Sequence, residues 1–280
     1  MSYSKISIVT PSYNHARFIE RTVRSVVGQR YPNLEYIVMD GGSSDNTVDI
    51  LKPYEAHISH LTSARDGGQS DAIASGFERS TGEIMAWLNS DDMLAPGALD
   101  YVNWFFKNNP DVDFIYSHRL AVDADDKAIW YWLLPRHSSY LMSRWDLIPQ
   151  ETCFWRRSLW EKGGNVDRSF QFAMDYDLFV RYMKIGRFRR ANRFLGAFRQ
   201  HDSAKTSQLL ATVGAREINR VWVDNGMKPH FFSPLLAHRF SKSVTWRGMR
   251  FALNGKVLPG CLSGIGYSYD RVWAGQLLGG

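Results

Sequence analysis

Cysteine is scarce in this chain of 280 residues: there are two, Cys153 and Cys261, far apart and in no metal-ligand spacing. So few thiols exclude a disulfide framework and a thiolate metal cage, and they fit a reducing, cytoplasmic setting. Long apolar runs are missing as well. The longest aromatic-aliphatic stretch is Ile129–Leu134, far below the roughly 20 residues of a membrane-spanning helix. Ile6–Val9 is too short for the apolar core of a secretory leader. The expectation is a chain that does not cross a membrane by itself. Internal repeats and low-complexity linkers are also lacking.

What is present is ordinary in bulk and uneven in detail. With 44% hydrophobic and 22% charged residues the chain has the composition of a folded protein. Its length suits one large domain, or one domain with an appendage. The net charge of +6 is divided unequally. Residues 1–180 hold 17 basic and 24 acidic residues, a net −7, whereas residues 181–280 hold 17 and 4, a net +13. An acidic front suits cation chemistry, and a basic back suits contact with something anionic.

Through residue 116, strand and helix signals alternate, which predicts an α/β domain with a mostly parallel sheet and helices on both faces. Strands are expected at Ile6–Thr10, stopped by Pro11, and at Leu34–Met39, His57–Thr62, Glu83–Leu88 and Val112–Tyr116. Between them, helical spacing marks Arg17–Gln29, a short helix ending at Pro53, Ser70–Arg79, and a helix begun by Pro96. Beyond lie a hairpin over residues 117–135, a strand over 150–156, a helix at Asp175–Ile185 and a strand at Phe188–Phe198. From about residue 206 the segments read as helical.

Acidic residues fall just past the expected strand ends: Asp40 after the second, Asp66 after the third, Asp91 and Asp92 after the fourth. In an open α/β sheet these ends surround one crevice. Converging carboxylates repel one another unless a cation or a ligand relieves them. Oxygen ligands without a His/Cys cluster favour a hard ion, Mg²⁺ or Mn²⁺.

Four segments carry a specific resemblance: TPSYN (Thr10–Asn14), VMDGGSSDNT (Val38–Thr47), RDGGQSDAIASGF (Arg65–Phe77) and TGEIMAWLNSDD (Thr81–Asp92). In this order and at these strand ends they resemble the family 2 glycosyltransferases of GT-A fold, of the bacterial polysaccharide type. The resemblance is close over about residues 6–97 and looser to about 207. It implies a GT-A, Rossmann-like catalytic domain over residues 1–207. Residues 1–116 would be its nucleotide-sugar-binding half and 117–207 its acceptor-side half. A helical, basic extension would follow over residues 208–280.

The implied reaction is a metal-dependent, inverting, hexosyltransferase-type transfer. A sugar moves from a nucleotide-diphosphate donor to the hydroxyl of a saccharide or lipid-linked saccharide acceptor, in cell-surface polysaccharide or glycolipid synthesis. Pro11, Ser12 and Tyr13 would line the nucleoside pocket, Asp40 would meet the base, and Arg65 and Asp66 would lie near the nucleotide. Asp91 and Asp92 would hold the ribose and the metal-bound diphosphate; because Asn89 stands at the first position of the Asp-x-Asp-type motif, the metal would be held by Asp91, by Asp92 or by both. His201 would approach the metal or the diphosphate. MDYDLFVR (Met174–Arg181) resembles the family's acceptor-side segment, with Met174 where many relatives have Glu, and makes Asp175 the expected general base, with Glu151 in reserve. Asp177, two positions on, points about 200° away on a helix. Trp130, Trp132 and Trp155 could stack on sugar rings or serve as core.

Two rivals are weaker. A sugar-phosphate nucleotidylyltransferase wants a glycine-rich loop after the first strand, and Thr10–His15 has no glycine. A catalytically silent scaffold has no need of Asp40, Asp91, Asp92 and Asp175 together. No nucleic-acid motif accompanies the basic character. In the C-terminal part Leu236, Phe240 and Val244 recur at helical spacing beside Arg239, Lys242 and Arg250, with Trp246 and Phe251 nearby. This predicts peripheral attachment to the anionic inner face of a membrane.

Overall fold

In the computed structural model, which describes residues 2–144, 146–227 and 268–273, a nine-stranded sheet divides two cores. Its strands are β1 (Ile6–Ser12), β2 (Leu34–Asp40), β3 (His60–Ser63), β4 (Ile84–Trp87), β5 (Met93–Leu94), β6 (Phe114–Val122), β7 (Ala128–Trp132), β8 (Phe154–Arg156) and β9 (Phe188–Arg199). Successive side chains on a strand point to opposite faces, so neighbouring residues enter different cores. Ile8, Val38 and Ala86 join one cluster, and Val9, Met39 and Met85 join the other. Helices α1 (Ile19–Val27), α2 (Thr47–Leu51) and α4 (Ala98–Asn108) cover the first face. The second is covered by α3 (Gln69–Arg79), α6 (Arg157–Gly163), α7 (Met174–Met183) and α9 (Ala215–Asp224). Gly76 lets α3 lie directly on β1, since a Cβ there would overlap Val9.

The strand order is β3-β2-β1-β4-β8-β6-β9-β5, with β7 added to β6. Pairs β1–β2, β1–β4, β2–β3 and β6–β9 are parallel. β8 is antiparallel to both β4 and β6, so β6 and β9 run the same way as β1–β4. The sheet is therefore mostly parallel, and the carboxyl ends of β1, β2, β3, β4, β6 and β9 share one edge. β6 runs through residue 116 within one continuous sheet.

Several local expectations shift for physical reasons. β1 continues through Pro11 to Ser12. Its pairing with β4 ends at Val9–Trp87, so a missing amide at Pro11 leaves no β4 carbonyl unsatisfied. Pro53 does not stop the chain's helical course; it sits in the first turn of a 3₁₀ helix, Lys52–His57, where a lost amide is harmless. The 117–135 hairpin is β6–β7. The strand expected over 150–156 splits into a 3₁₀ turn, Gln150–Thr152, and β8.

Short helices α5 (Ser139–Met142) and α8 (Lys205–Leu209) follow β7 and β9, and α10 (Tyr269–Trp273) packs its Tyr269, Val272 and Trp273 on β5, β6 and β9. No helix of the described residues is long and apolar enough to cross a membrane. The amphipathic segment expected around Leu236, Arg239, Phe240, Lys242, Val244, Trp246, Arg250 and Phe251 lies outside the described residues, as does Cys261.

Candidate active site

Strand order reverses at β1, with β2 and β3 on one side and β4 on the other. At such a point the loops leaving the carboxyl ends diverge and leave a crevice. A cavity of about 730 Å³ opens there, lined by Pro11, Ser12 and Tyr13 at the end of β1, Gly41 and Gly42 after β2, Arg65 and Asp66 after β3, Asn89, Ser90, Asp91 and Asp92 after β4, and Lys205 from α8. Tyr13 is 60% exposed on its rim. The Ser12 hydroxyl is screened from solvent and has no hydrogen-bond partner, a condition worth about 1–3 kcal/mol to relieve.

Asp40 ends β2 but is not among the residues that line this cavity. Only 2% exposed, it accepts from the amides of Gly42 and Ser43 and from the hydroxyls of Ser43 and Ser63 at 2.5–3.2 Å. Its carboxylate holds the Gly42–Ser43 turn in shape and brings Gly41 and Gly42 to the wall. Asp66 does reach the wall and accepts from the Gly68 amide at 2.8 Å. Desolvation, with Asp71 and Asp40 nearby, raises its pKa.

β5 pairs antiparallel with β9 and carries the end of the β4 loop toward the end of β9. That pairing joins residues 110 positions apart: Asp91 Oδ2 and His201 Nε2 lie 3.0 Å from each other. His201 Nδ1 contacts Ser203 Oγ at 2.8 Å, which orients the ring. His15 stands beside them, its Nδ1 2.5 Å from Ser90 Oγ. Burial lowers the His15 pKa, Asp91 opposes that shift, and His201 adds to it.

Asp92 is placed differently from its neighbour. It is 2% exposed, and its oxygens accept from the Arg199 amide at 3.0 Å and the Asn89 side chain at 3.3 Å. Burial above all, then the charges of Asp91 and Glu151, push its pKa well up. Among the described residues no three His, Cys, Asp or Glu side chains form a ready metal cage. Asp91 lines the cavity with its carboxylate, while His201 does not line it and contacts that carboxylate through Nε2; an oxygen and a nitrogen so placed suit an ion that completes its shell with substrate phosphates and water.

A second cavity, of about 620 Å³, adjoins the first across Gln69, Asn89, Asp92, Phe198, Lys205 and Thr206, which line both. Asp175 lines it from the first turn of α7. Its Oδ1 accepts from the Tyr176 amide at 2.9 Å, and burial raises its pKa to about 6 against opposition from that bond. Asp177 is engaged elsewhere, bound by two nitrogens of Arg181 at 2.8 and 2.9 Å.

Glu151 also lines the second cavity, but Arg119 grips both its oxygens at 2.7 and 2.8 Å, so the reserve base is fully engaged. Gly196 permits this crowding, because a Cβ there would strike the Glu151 carbonyl. Trp130, 36% exposed, and Trp132 line the cavity, whereas Trp155 is wholly buried between Phe77 and Phe114 and belongs to the core.

Two lining residues are not singled out by the sequence pattern. Asp146 opens onto the second cavity but is otherwise surrounded by protein; desolvation and the charge of Asp175 push its pKa well up. Lys205 lies on the wall common to both cavities, its ammonium 3.3 Å from the Gln171 carbonyl and its pKa lowered by desolvation. Its position four residues past His201, at the start of a helix, was the available signal.

Residues 7–166 match the family model described as Glycosyl transferase family 2. An uncharacterized glycosyltransferase of Nostoc sp. is 33% identical over 129 residues, 45% of this chain and 39% of its own length, so this chain spans well under half of that relative. Among solved structures, residues 1–349 of Staphylococcus aureus TarS in complex with UDP-GlcNAc superpose with a TM-score of 0.66 at 15% identity, over 90% of this chain and 73% of that one. The mannosyltransferase PcManGT from Pyrobaculum calidifontis, in complex with GDP-Man and Mn²⁺, gives 0.61 at 16% identity, over 92% and 77%.

Proposed function

This chain belongs to glycosyl transferase family 2, and from that premise we propose that it transfers a sugar from a nucleotide-diphosphate sugar to an acceptor hydroxyl. The carrying observation is the pair of adjoining cavities, with Asp91, which His201 contacts, lining one and Asp175 lining the other. A donor in the first cavity and an acceptor in the second would meet across Asn89 and Asp92. The fold is shared with structures that hold UDP-GlcNAc or GDP-Man.

Pro11, Ser12 and Tyr13 form the nucleoside end of this reading, with the unpartnered Ser12 hydroxyl as a polar contact. Arg65 and Lys205 are the cations nearest the diphosphate, and Asp66 meets the nucleotide. Asp40 acts on the base side by shaping the Gly41–Gly42 wall. Asp91 and His201 would hold Mn²⁺ or Mg²⁺, and Asp92 buttresses their loop. A bound divalent ion supplies charge neutralisation for the departing nucleoside diphosphate.

In the second cavity Asp175 takes the proton of the attacking acceptor hydroxyl. With a pKa of about 6 it is mainly ionised at pH 7 yet basic enough to accept that proton. One carboxylate base assisting one displacement gives inversion at the anomeric carbon. Trp130 and Trp132 provide faces for a saccharide ring, so the acceptor is a saccharide, free or lipid-linked.

Thermal-shift titration with UDP-, GDP- and dTDP-sugars, with and without Mn²⁺, tests the reading. One donor class should raise Tm in a metal-dependent manner. Asp91→Asn and His201→Ala should each weaken that binding about 10–100-fold. Metal-independent transfer at full rate by the Asp91→Asn, His201→Ala double variant would rule out the metal site.

A further inference from the structure

Arg199 is an arginine on the last residue of β9, 1% exposed. A buried guanidinium must have all its donors engaged, and the partners chosen here are informative. Nε donates to the Asp91 carbonyl at 2.8 Å, and Nη1 donates to the Asp123 carbonyl at 3.1 Å and ion-pairs with Asp126 at 2.5 Å. The backbone amide of the same residue donates to Asp92 at 3.0 Å. Its guanidinium lies 5.0 Å over the Phe18 ring, and that ring in turn packs 4.5 Å from His201. One residue thus touches Asp91 and Asp92 and reaches His201 through Phe18.

Arg199 is itself held from outside. Asp126 sits at the β6–β7 turn with φ of 66°, in the left-handed region where glycine is the easier choice. An aspartate stands there, and its second oxygen pairs with Arg21 Nε at 2.7 Å. Arg21 extends to Asp270 at 3.2 Å, the Tyr269 amide donates to the Asp126 carbonyl at 2.7 Å, and the Tyr269 hydroxyl donates to the Leu94 carbonyl. The helix Tyr269–Trp273 therefore clamps the turn that clamps Arg199.

We propose that Arg199 is a positioning residue for the donor site, setting the Asp91–His201 pair, and that Asp126, Arg21 and the helix Tyr269–Trp273 lock it in place. The inference rests on the glycosyltransferase reading above. Arg199 touches no substrate; it acts through the Asp91 carbonyl and the Phe18 ring. Loss of the guanidinium frees the loop that carries Asp91 and the ring beneath His201, while the nucleoside wall at Pro11–Tyr13 keeps its shape. The effect is thus specific to metal-dependent nucleotide binding.

The test titrates UDP and GDP calorimetrically, with and without Mn²⁺, into the full chain and into Arg199→Met, Arg199→Lys and Tyr269→Phe. Folding of each variant is checked by circular dichroism and Tm. Arg199→Met should lose about 10–100-fold in Mn²⁺-dependent affinity and stay within about twofold without metal. Arg199→Lys, which can keep the Asp126 ion pair but not the bond to Asp91, should fall between.

A folded Arg199→Met that binds as wild type does, or that loses both affinities equally, overturns the proposal. If Arg199→Met does not fold, Arg199→Lys and Tyr269→Phe decide: a several-fold loss confined to the Mn²⁺-dependent affinity supports it, and no change overturns it. Wild type that binds neither nucleotide under any condition removes the functional reading, and this inference with it.

Discussion

Asparagine at position 175 keeps the size of the side chain and the oxygen that accepts from the Tyr176 amide at 2.9 Å. It removes the charge and the basicity. Two consequences follow, with opposite signs. Transfer loses its general base, a factor of about 10²–10⁴, or about 2.7–5.5 kcal/mol in the barrier. Stability moves the other way. Folding raises the carboxyl from 3.8 to about 6, about 2 units at about 1.4 kcal/mol each, so the ionised form is disfavoured in the folded state by up to about 3 kcal/mol. Contact with the cavity solvent reduces this to about 1–2 kcal/mol.

For a group whose folded pKa lies above its unfolded value, the penalty is full above the folded pKa and vanishes below the unfolded one. Asp175→Asn should therefore raise Tm by about 3–6 °C at pH 7, a gain that fades as pH falls from 6 to 4. Scanning calorimetry at several pH values reads the stability, and single-turnover transfer reads the chemistry. The acid limb of kcat/KM near pH 6 should disappear in the variant, while donor binding in Mn²⁺ stays near wild type. If Asp175→Asn retains turnover and its acid limb while Glu151→Gln loses both, the base is Glu151 and the assignment is wrong.

Glu35, at the opposite end of the sheet, is bound by Lys5, Ser7 and Thr81, and these partners outweigh its burial and lower its pKa to about 2. Its contribution is present above the unfolded pKa and lost as pH falls toward 2, so Glu35→Gln should destabilise by about 2–3 kcal/mol at neutral pH. Urea titrations of the two proteins should converge near pH 2. Trp155→Ala removes a wholly buried ring and should destabilise by about 3–5 kcal/mol. Trp130→Ala, on the cavity rim, should shift denaturation little and raise the acceptor KM instead; equal losses of stability in both variants would contradict their different placement.

The fold and half of the site are legible in the sequence for one physical reason: strand ends are local. A run such as Ile84–Trp87 followed by Asn89, Ser90, Asp91 and Asp92 fixes where carboxylates leave the sheet, whatever the distant chain does. The same locality makes Asp175 and Asp177 separable, because helix geometry alone sends them to different faces. What locality cannot supply is the partner. Glu151 reads as a free acid until Arg119, 32 residues away on another strand, is found gripping it. The bonds that Asp40 accepts from Ser63 and from the Gly42–Ser43 turn are likewise invisible in its own segment.

Arg199 is the extreme case. Nothing in PheArgGlnHis marks it, yet its partners include the loops at Asp91 and Asp123, the turn at Asp126 and Phe18, the residue just before α1. Each contact spans more than 70 residues of sequence, and no pattern within a single segment encodes any of them. That His201 belongs with the strand-end acids was suggested only by the family resemblance, which carries long-range information that periodicity lacks. Arg199 stands two residues from His201 in the same strand-end segment, and the pairing of β5 with β9 brings both to the Asp91 loop at once. The side chain that approaches the site and the side chain that braces it are thus set by one strand register. A register slip of one residue would turn both away from the loop together.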